Sequence, residues 1–160
     1  MQMPTPSTSI LARKSRIVSR LRSIMPADAV IDDESETRAY ECDALTAYRC
    51  PPLCAVLPAS TREVSDILRI CHEEGVPVVP RGSGTSLSGG ALPLADAVLL
   101  GMGKFKRIVD VDYEDRVAVV QPGVTNLAIT QAVEARGFYY APDPSSQIDC
   151  SIGGNVAENS

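Results

Sequence analysis

The chain has 160 residues, of which 44% are hydrophobic and 22% are charged. This length and composition are ordinary for one globular domain with a sizeable core, and they exclude a low-complexity chain. The net charge of -5 gives no basis for binding nucleic acid. No apolar run approaches the roughly 20 residues of a membrane span.

The first 27 residues carry five basic side chains and no acidic ones. Apolar residues recur there at helical spacing from Ile10 to Ile24, and Pro26 closes the run, so we predict one amphipathic helix. Basic residues interrupt the apolar run, so we do not expect a signal peptide. For these basic side chains we favour a solvated helix face over contact with a membrane surface or a partner.

A strand, a helix and a second strand are predicted next. The segment 52–58 (PLCAVLP) predicts a short buried strand, and residues 76–79 (VPVV) predict another. Between them Ser60 and Glu63 form a capping box, and Gly75 ends the helix. The predicted apolar stripe of this helix consists of Val64, Ile67, Leu68 and Cys71. The short links imply a parallel pair of strands with a right-handed crossover.

The last part of the chain alternates strands and helices. Residues 97–100 predict a buried strand, and 107–111 with 116–123 predict a hairpin around 112–115. Thr125 is placed to cap a helix that runs through Ala135 and ends at Gly137. A further helix is predicted to begin near Gly153.

The stretch PRGSGTSLSGG, residues 80–90, follows the second strand. It combines glycines, hydroxyls and Arg81, the only basic residue between Arg69 and Lys104, and no carboxylate lies between residues 75 and 95. Such a loop suits a phosphate or pyrophosphate, which needs many donors and no nearby negative charge. Leu87 and Gly90 depart from the dinucleotide fingerprint and the P-loop respectively, so a flexible surface turn stays open as an alternative.

A second stretch rich in Gly, Ser and Asn, PDPSSQIDCSIGGNVAENS, occupies residues 142–160. Together with residues 80–94 it closely resembles the FAD-binding domain of the vanillyl-alcohol-oxidase-type flavoproteins. Within that family the resemblance is greatest to the FAD subunits of glycolate oxidases, and residues 40–49 and 120–133 match the same subgroup. The resemblance covers the chain from about residue 28 onwards.

The resemblance implies an α+β fold of the PCMH type. A small parallel β/α lobe is followed by the start of an antiparallel β/α lobe, and FAD lies between the two lobes. We expect residues 1–49 to form an N-terminal helix and extended segment, and residues 50–160 to form the FAD-binding domain. Members of this subgroup are far longer, so we expect this chain to be an amino-terminal portion.

The same resemblance implies a set of cofactor-binding residues. The first loop would wrap the pyrophosphate through Pro80, Arg81, Gly82, Ser83, Gly84, Thr85, Ser86, Leu87, Ser88, Gly89 and Gly90. Gly123 would let the backbone pass close to the cofactor. The second loop would line the isoalloxazine and ribityl side with Pro144, Ser145, Ser146, Ser151, Gly153, Gly154 and Asn155. Residues that hold the substrate and a metal, and that remove its proton, would lie downstream, so no catalytic or metal-binding residue is assigned here.

Some family members attach the flavin covalently through a histidine in the first loop, where this chain has Thr85. We therefore expect non-covalent FAD. The only histidine, His72, lies on the preceding helix and is expected at the surface or its boundary.

The implied activity is the oxidation of a small 2-hydroxyacid, with glycolate as the first candidate substrate. D-lactate or another D-2-hydroxyacid is an alternative within the same fold. The implied partners are further subunits of a glycolate oxidase complex, including an iron–sulfur subunit. We expect a cytoplasmic location, with contact to the inner membrane through partner subunits as an open alternative.

Two other classes of function stay open at this point. One is a non-catalytic module that binds an anion or a nucleotide. The other is a zinc site at Cys42, Cys50 and Cys54, but no histidine or second close pair of cysteines completes four ligands. With no export signal, we favour reduced thiols for all five cysteines.

Overall fold

The computed structural model describes residues 3–142 and 144–159. In this part of the chain the strands form one sheet of four and one of two. The helices and strands, in chain order, are α1 Thr8–Leu11, α2 Lys14–Arg22, β1 Val30–Ile31, α3 Glu34–Thr37, β2 Cys54–Val56, α4 Thr61–Glu74, β3 Val78–Arg81, β4 Val98–Gly101, β5 Ile108–Asp112, β6 Val117–Val120, α5 Asn126–Val133 and α6 Ile152–Glu158.

The four-stranded sheet has the order β1-β2-β4-β3, with β2, β4 and β3 parallel and β1 antiparallel to β2. The predicted strands β2 and β3 are therefore parallel but are not neighbours, because β4 lies between them. Every residue of β4 is buried, which suits the centre of a sheet covered on both faces. Strand β3 contains Pro80, which has no N–H to donate, and it takes the edge position.

Helix α4 confirms the predicted caps. The Ser60 hydroxyl accepts from the Glu63 N–H at 3.2 Å, and the Glu63 carboxylate accepts from the Ala59 N–H at 2.6 Å. Gly75 ends the helix in the left-handed region, with φ of 61°. The predicted apolar stripe is partly wrong, because Leu68 is 44% exposed while Ile70 is buried.

The N-terminal segment forms two helices instead of the predicted single one. Helix α1 ends at Leu11, and α2 begins at Lys14 with Arg13 as its N-terminal flanking residue. The Arg13 guanidinium donates to the carbonyl oxygen of Ser9 at 3.1 Å, across the break between the two helices. The apolar residues Ile17 and Leu21 are fully buried in the core, as their helical spacing predicts.

The basic side chains of this segment are partly exposed, as the sequence predicts, but three of them also share one buried carboxylate. Arg13, Arg16 and Arg20 place guanidinium nitrogens 2.8, 3.1 and 2.8 Å from carboxylate oxygens of Glu74. Glu74 is buried at the end of α4, and hydrogen bonding from Arg20 is the largest cause that lowers its pKa. We call these four residues the Glu74 cluster. It fastens the N-terminal helices to α4.

Residues on both sides of position 50 contribute to one hydrophobic core. Strand β1 pairs with β2 through Val30 and Val56, and buried residues of α2 belong to the same cluster as Ile67 of α4. The domain boundary at residue 50 stays a prediction.

The second sheet is the predicted hairpin, followed by the predicted helix. Strands β5 and β6 are antiparallel, with a register shift between Ile108 and Asp110. The Thr125 hydroxyl caps α5 by accepting from the Ala128 N–H, and a 3₁₀ turn leads to Gly137. One side of the hairpin exposes apolar side chains, those of Val109, Val117 and Val119.

Two of the five cysteines belong to the core. Burial raises the pKa of the Cys54 thiol to about 12 and that of Cys71 to about 11, so both are protonated at neutral pH. Cys42 and Cys50 are half-buried in the loop before β2, and no cysteine of the described residues is in a disulfide. The described residues contain no cluster of metal-ligating side chains. His72 is exposed, as expected.

Among the residues that the structure describes, no helix is long and apolar enough to cross a bilayer.

We expect Glu74→Gln to lower the denaturant midpoint of unfolding more than Glu73→Gln does. Glu73 is 46% exposed and contacts Arg20 alone, whereas loss of the Glu74 charge leaves three arginines without their shared partner. Because the pKa of Glu74 is lowered by folding, its stabilisation is present above the unfolded pKa near 4.5 and is lost as pH falls through the folded value. The difference between wild type and Glu74→Gln should therefore shrink below pH 4.5. A difference that is constant from pH 7 to pH 3 would contradict this assignment.

Candidate functional site

The two Gly- and Ser-rich loops meet at one cleft of about 350 Å³. The first loop contributes Pro80, residues 82–88 and Gly90. The second contributes five of its predicted residues, Pro144, Ser146, Ser151, Gly154 and Asn155. We call this the first cleft. Two segments more than 50 residues apart in sequence thus form one concave site, as the sequence analysis expects.

A second cleft of about 540 Å³ adjoins the first. Both clefts are lined by Gly82, Ser83, Thr85 and Ser151. The second cleft also contains Gly123, so the predicted glycine lies at the site. The shared residues make the two clefts one continuous surface for an elongated ligand.

Four of the predicted residues line neither cleft: Arg81, Gly89, Ser145 and Gly153. The role of Gly153 is visible in its packing. Its N–H donates to the carbonyl oxygen of Pro122 at 2.8 Å, and a side chain there would contact Pro122 at 2.7 Å. Gly153 therefore lets α6 pack against the turn that precedes α5. Within the quoted second loop, Asp143 and Ser160 lie outside the described residues.

The two loops approach each other at Gly82 and Ser151. A methyl group on Gly82 would overlap the Ser151 hydroxyl. Ser151 is itself fixed from the other side, because it forms a β-bridge with Thr125 and the next N–H, of Ile152, donates to Val124 at 2.9 Å. A side chain at position 82 would thus force the Ser151 hydroxyl out of its place in the cleft.

Asn126 supports the second loop and was not identified from the sequence. It is 1% exposed at the start of α5. Its side-chain amide donates to the carbonyl oxygen of Pro142 at 3.2 Å, and its oxygen accepts from the amide of Asn155 at 2.6 Å. The sequence did contain a signal for this role. Asn126 precedes Ile129 by three residues and Val133 by seven, so a polar side chain shares a helix face with two apolar ones and needs hydrogen-bond partners there.

The first loop presents backbone donors in series. Among the described residues, the N–H groups of residues 82–86 have no hydrogen-bond partner, and all five residues line the first cleft. The hydroxyls of Ser83 and Thr85 add two more donors. Unpaired N–H groups around a concave turn bind anions, because each partial positive charge points to a common volume. The donor set therefore fits the phosphate groups of a nucleotide cofactor.

Arg81 has a different placement from the one expected. Its Nη1 donates to the carbonyl oxygens of Cys42 and Ala91, at 2.7 and 3.3 Å. Gly84 lies directly over the guanidinium, and the N–H of Ala44 donates to the Gly84 carbonyl at 2.9 Å. Arg81 thus ties the first loop to the segment before β2. We interpret it as a residue that shapes the loop.

Gly123 also has a structural role. Its N–H donates to the carbonyl oxygen of Phe105 at 2.8 Å. A side chain at Gly123 would contact the carbonyl oxygens of Met102 and Phe105, both at 2.7 Å. The absent side chain lets the turn of residues 102–106 pack beside the second cleft.

A family model and several curated proteins match this chain over most of its length. The family described as "FAD binding domain" matches residues 52–160. The glycolate oxidase subunit GlcD of Escherichia coli (strain K12) is 55% identical over 146 residues, which are 91% of this chain and 29% of that protein. The corresponding subunit of Bacillus subtilis (strain 168) is 45% identical, over 81% of this chain and 28% of its own length. D-lactate dehydrogenase of Anaerostipes hadrus is 31% identical, over 89% of this chain and 30% of its own length.

Solved structures confirm the fold class expected from the sequence. 4-Ethylphenol oxidase from Gulosibacter chungangensis superimposes with a TM-score of 0.78 at 27% identity, over 97% of this chain and 30% of that one. p-Cresol methylhydroxylase superimposes with a TM-score of 0.80 at 20% identity, over 96% of this chain and 30% of that one. The chain thus has the α+β fold of the PCMH type, and it spans less than a third of the length of these relatives.

We expect Gly84→Ala to destabilise the protein by about 1–3 kcal/mol more than Gly89→Ala does. Both glycines have positive φ, 74° and 82°, so both variants carry a similar backbone penalty. Only at Gly84 does the added methyl overlap the Arg81 guanidinium, whereas nothing lies within 4 Å at Gly89. The free energy of unfolding from urea denaturation measures the difference. Equal losses in the two variants would show that the Arg81 contact does not shape the loop.

Proposed function

The chain belongs to the FAD-binding domain family, and on that premise we propose that it is the cofactor-binding portion of an FAD-dependent 2-hydroxyacid oxidoreductase that converts glycolate to glyoxylate. The observation that carries this proposal is the 55% identity to a glycolate oxidase subunit over 91% of the chain. Both loops of the cleft lie within residues 52–160, which match the FAD-binding family. The relatives are longer, so the activity belongs to the full reading frame that contains these residues.

The residues present fit FAD. The unpaired N–H groups of residues 82–86 would hold the phosphates, and the second loop would line the ribityl and ring side of the cofactor with Pro144, Ser146, Ser151 and Asn155. The two clefts adjoin at Gly82, Ser83, Thr85 and Ser151, all small residues, so no large side chain stands between them. The second cleft continues past Gly123.

FAD, when bound, supplies the acceptor for the hydride that leaves the hydroxyl-bearing carbon of the substrate. The hydroxyl proton needs a base, and we place that base and the substrate-binding residues outside this chain. The part played by this chain is to bind and orient the cofactor and to exclude water from its phosphates.

The electrons need a further acceptor. The E. coli relative is named as a subunit, which supports a multi-subunit enzyme. We propose that an iron–sulfur subunit accepts the electrons, and that the protein acts in the cytoplasm, with any contact to the inner membrane made through such partners.

Oxidation of D-lactate or another D-2-hydroxyacid is the second candidate. It is supported by the 31% identity to a D-lactate dehydrogenase over 89% of this chain. Glycolate is favoured because the identity to the glycolate oxidase subunit is much higher over a similar share of the chain.

We expect the purified full-length protein to be yellow and to reduce an artificial electron-acceptor dye in the presence of glycolate, with a higher kcat/KM for glycolate than for D-lactate. Flavin absorbance separates a flavoprotein from a non-catalytic anion-binding module. A higher kcat/KM for D-lactate would make the second candidate the correct one. Bound flavin without turnover of either acid would reject both activities.

We expect the FAD to be dissociable. Thr85 stands where some family members have a histidine that attaches the flavin, and a threonine hydroxyl is no ready nucleophile for that bond. Acid precipitation should leave the yellow colour in the supernatant, and the mass of the denatured protein should equal that of the polypeptide alone. Flavin that stays in the pellet, with a matching gain in protein mass, would contradict the expectation.

A further inference from the structure

The first loop lacks a free cation in the described structure. Arg81 was the expected one, but its guanidinium donates to two backbone carbonyls and lines neither cleft. A diphosphate carries two negative charges, and neutral N–H groups compensate them only in part. A cation on another segment would therefore strengthen the binding of the phosphates.

Lys106 is the basic residue that lines the site. It lies in the second cleft together with Gly82, Ser83 and Thr85 of the first loop. It follows Arg81 by 25 residues, and nothing in the sequence pattern connects it with the loop. Lys104, two residues earlier, is exposed and lines neither cleft.

The backbone around Lys106 is held in place. Phe105 is 5% exposed, and its carbonyl accepts from Gly123 at 2.8 Å. On the other side, the N–H of Arg107 donates to the Gln121 side chain at 2.9 Å, and the N–H of Gln121 donates back to the Arg107 carbonyl, also at 2.9 Å. Only the lysine side chain has to be ordered when a ligand binds, which lowers the entropic cost of using it.

The charges along the joined clefts are unequally placed. The first cleft contains the carboxylate of Glu158, and the second contains Lys106 and Asp149. Among the described residues Lys106 forms no ion pair, with Asp149 or with any other carboxylate. Lys106 is exposed, so its ammonium group is available to a ligand. The Glu158 carboxylate lies beside Gly90 of the first loop and repels an anion there.

We propose that Lys106 supplies the positive charge that binds the diphosphate of FAD, from the side of the second cleft. This rests on the proposed function, because the anion it binds is part of the cofactor. Arg81 acts earlier, by fixing the loop on which the N–H donors lie. In this proposal Lys106 binds the diphosphate and Arg81 holds the first loop in shape.

The test compares Lys106→Gln with Lys104→Gln in the full-length apoprotein. Both variants remove one lysine charge from the same turn, so they alter the net charge equally. We expect Lys106→Gln to weaken FAD and ADP about tenfold or more, as for the loss of a charge-assisted bond, and Lys104→Gln to change neither. Riboflavin, which has no phosphate, should bind both variants as it binds wild type. Flavin fluorescence quenching measures the FAD and riboflavin affinities, and calorimetry measures ADP.

Asp149→Asn is expected to change the affinity for ADP in the opposite direction. Removal of this carboxylate takes a like charge away from the phosphates, so we expect tighter binding of ADP. A loss of ADP affinity equal to that of Lys106→Gln would mean that the lysine acts through Asp149 rather than on the ligand, and would overturn the proposal. Equal FAD affinities of wild type and Lys106→Gln would also overturn it.

The outcome is distinguishable from failure of the proposed function. If wild type binds no FAD, the proposed function fails before any variant is compared. If wild type binds FAD and turns over glycolate while Lys106→Gln matches it in affinity for FAD and ADP, the function stands and the assignment of Lys106 is wrong. Thermal unfolding of each variant verifies that the turn remains folded.

Discussion

The site depends on the close approach of the Gly82 backbone to the Ser151 side chain. A side chain at Gly82 would occupy the space of the Ser151 hydroxyl, which lines both clefts, and would force that hydroxyl to move. The contact joins the end of a parallel sheet strand to a loop that is anchored on the hairpin and α5. Through this contact the first and second loops line one concave surface.

Each side of this contact is held by a polar side chain, half-buried at Arg81 and buried at Asn126. Arg81 fixes the first loop by donating to carbonyl oxygens, and Asn126 fixes the second by bonding Pro142 and Asn155. Buried polar groups of this kind have defined geometry, because each lost bond leaves an unpaired group out of water. The backbone donors of residues 82–86 are therefore in place before a ligand arrives, which reduces the ordering cost of binding.

Local patterns in the sequence predicted most of the elements, and the resemblance selected the two loops that the fold brings together at one cleft. Ser60, Gly75, Thr125 and Gly137 marked helix ends correctly, since caps depend on neighbouring residues alone. The position of β4 between β2 and β3 was missed, because strand order follows from competition for burial among distant segments. The different placements of Arg81 and Lys106 could not be predicted from the sequence, since only the fold decides that Arg81 donates to backbone carbonyls while Lys106 lines a cleft.

Within the Glu74 cluster, the arginines tolerate substitution better than Glu74 does. Replacing Arg13, Arg16 or Arg20 leaves the carboxylate with two remaining guanidinium partners, and each arginine is itself partly exposed and can be rehydrated. Replacing Glu74 leaves all three at once without the group that gathers them. Over many generations the arginines can be exchanged one at a time for lysine or glutamine, while the buried acid can change only together with its neighbours. The Glu74 carboxylate therefore limits how far the sequence of the amino-terminal segment can change.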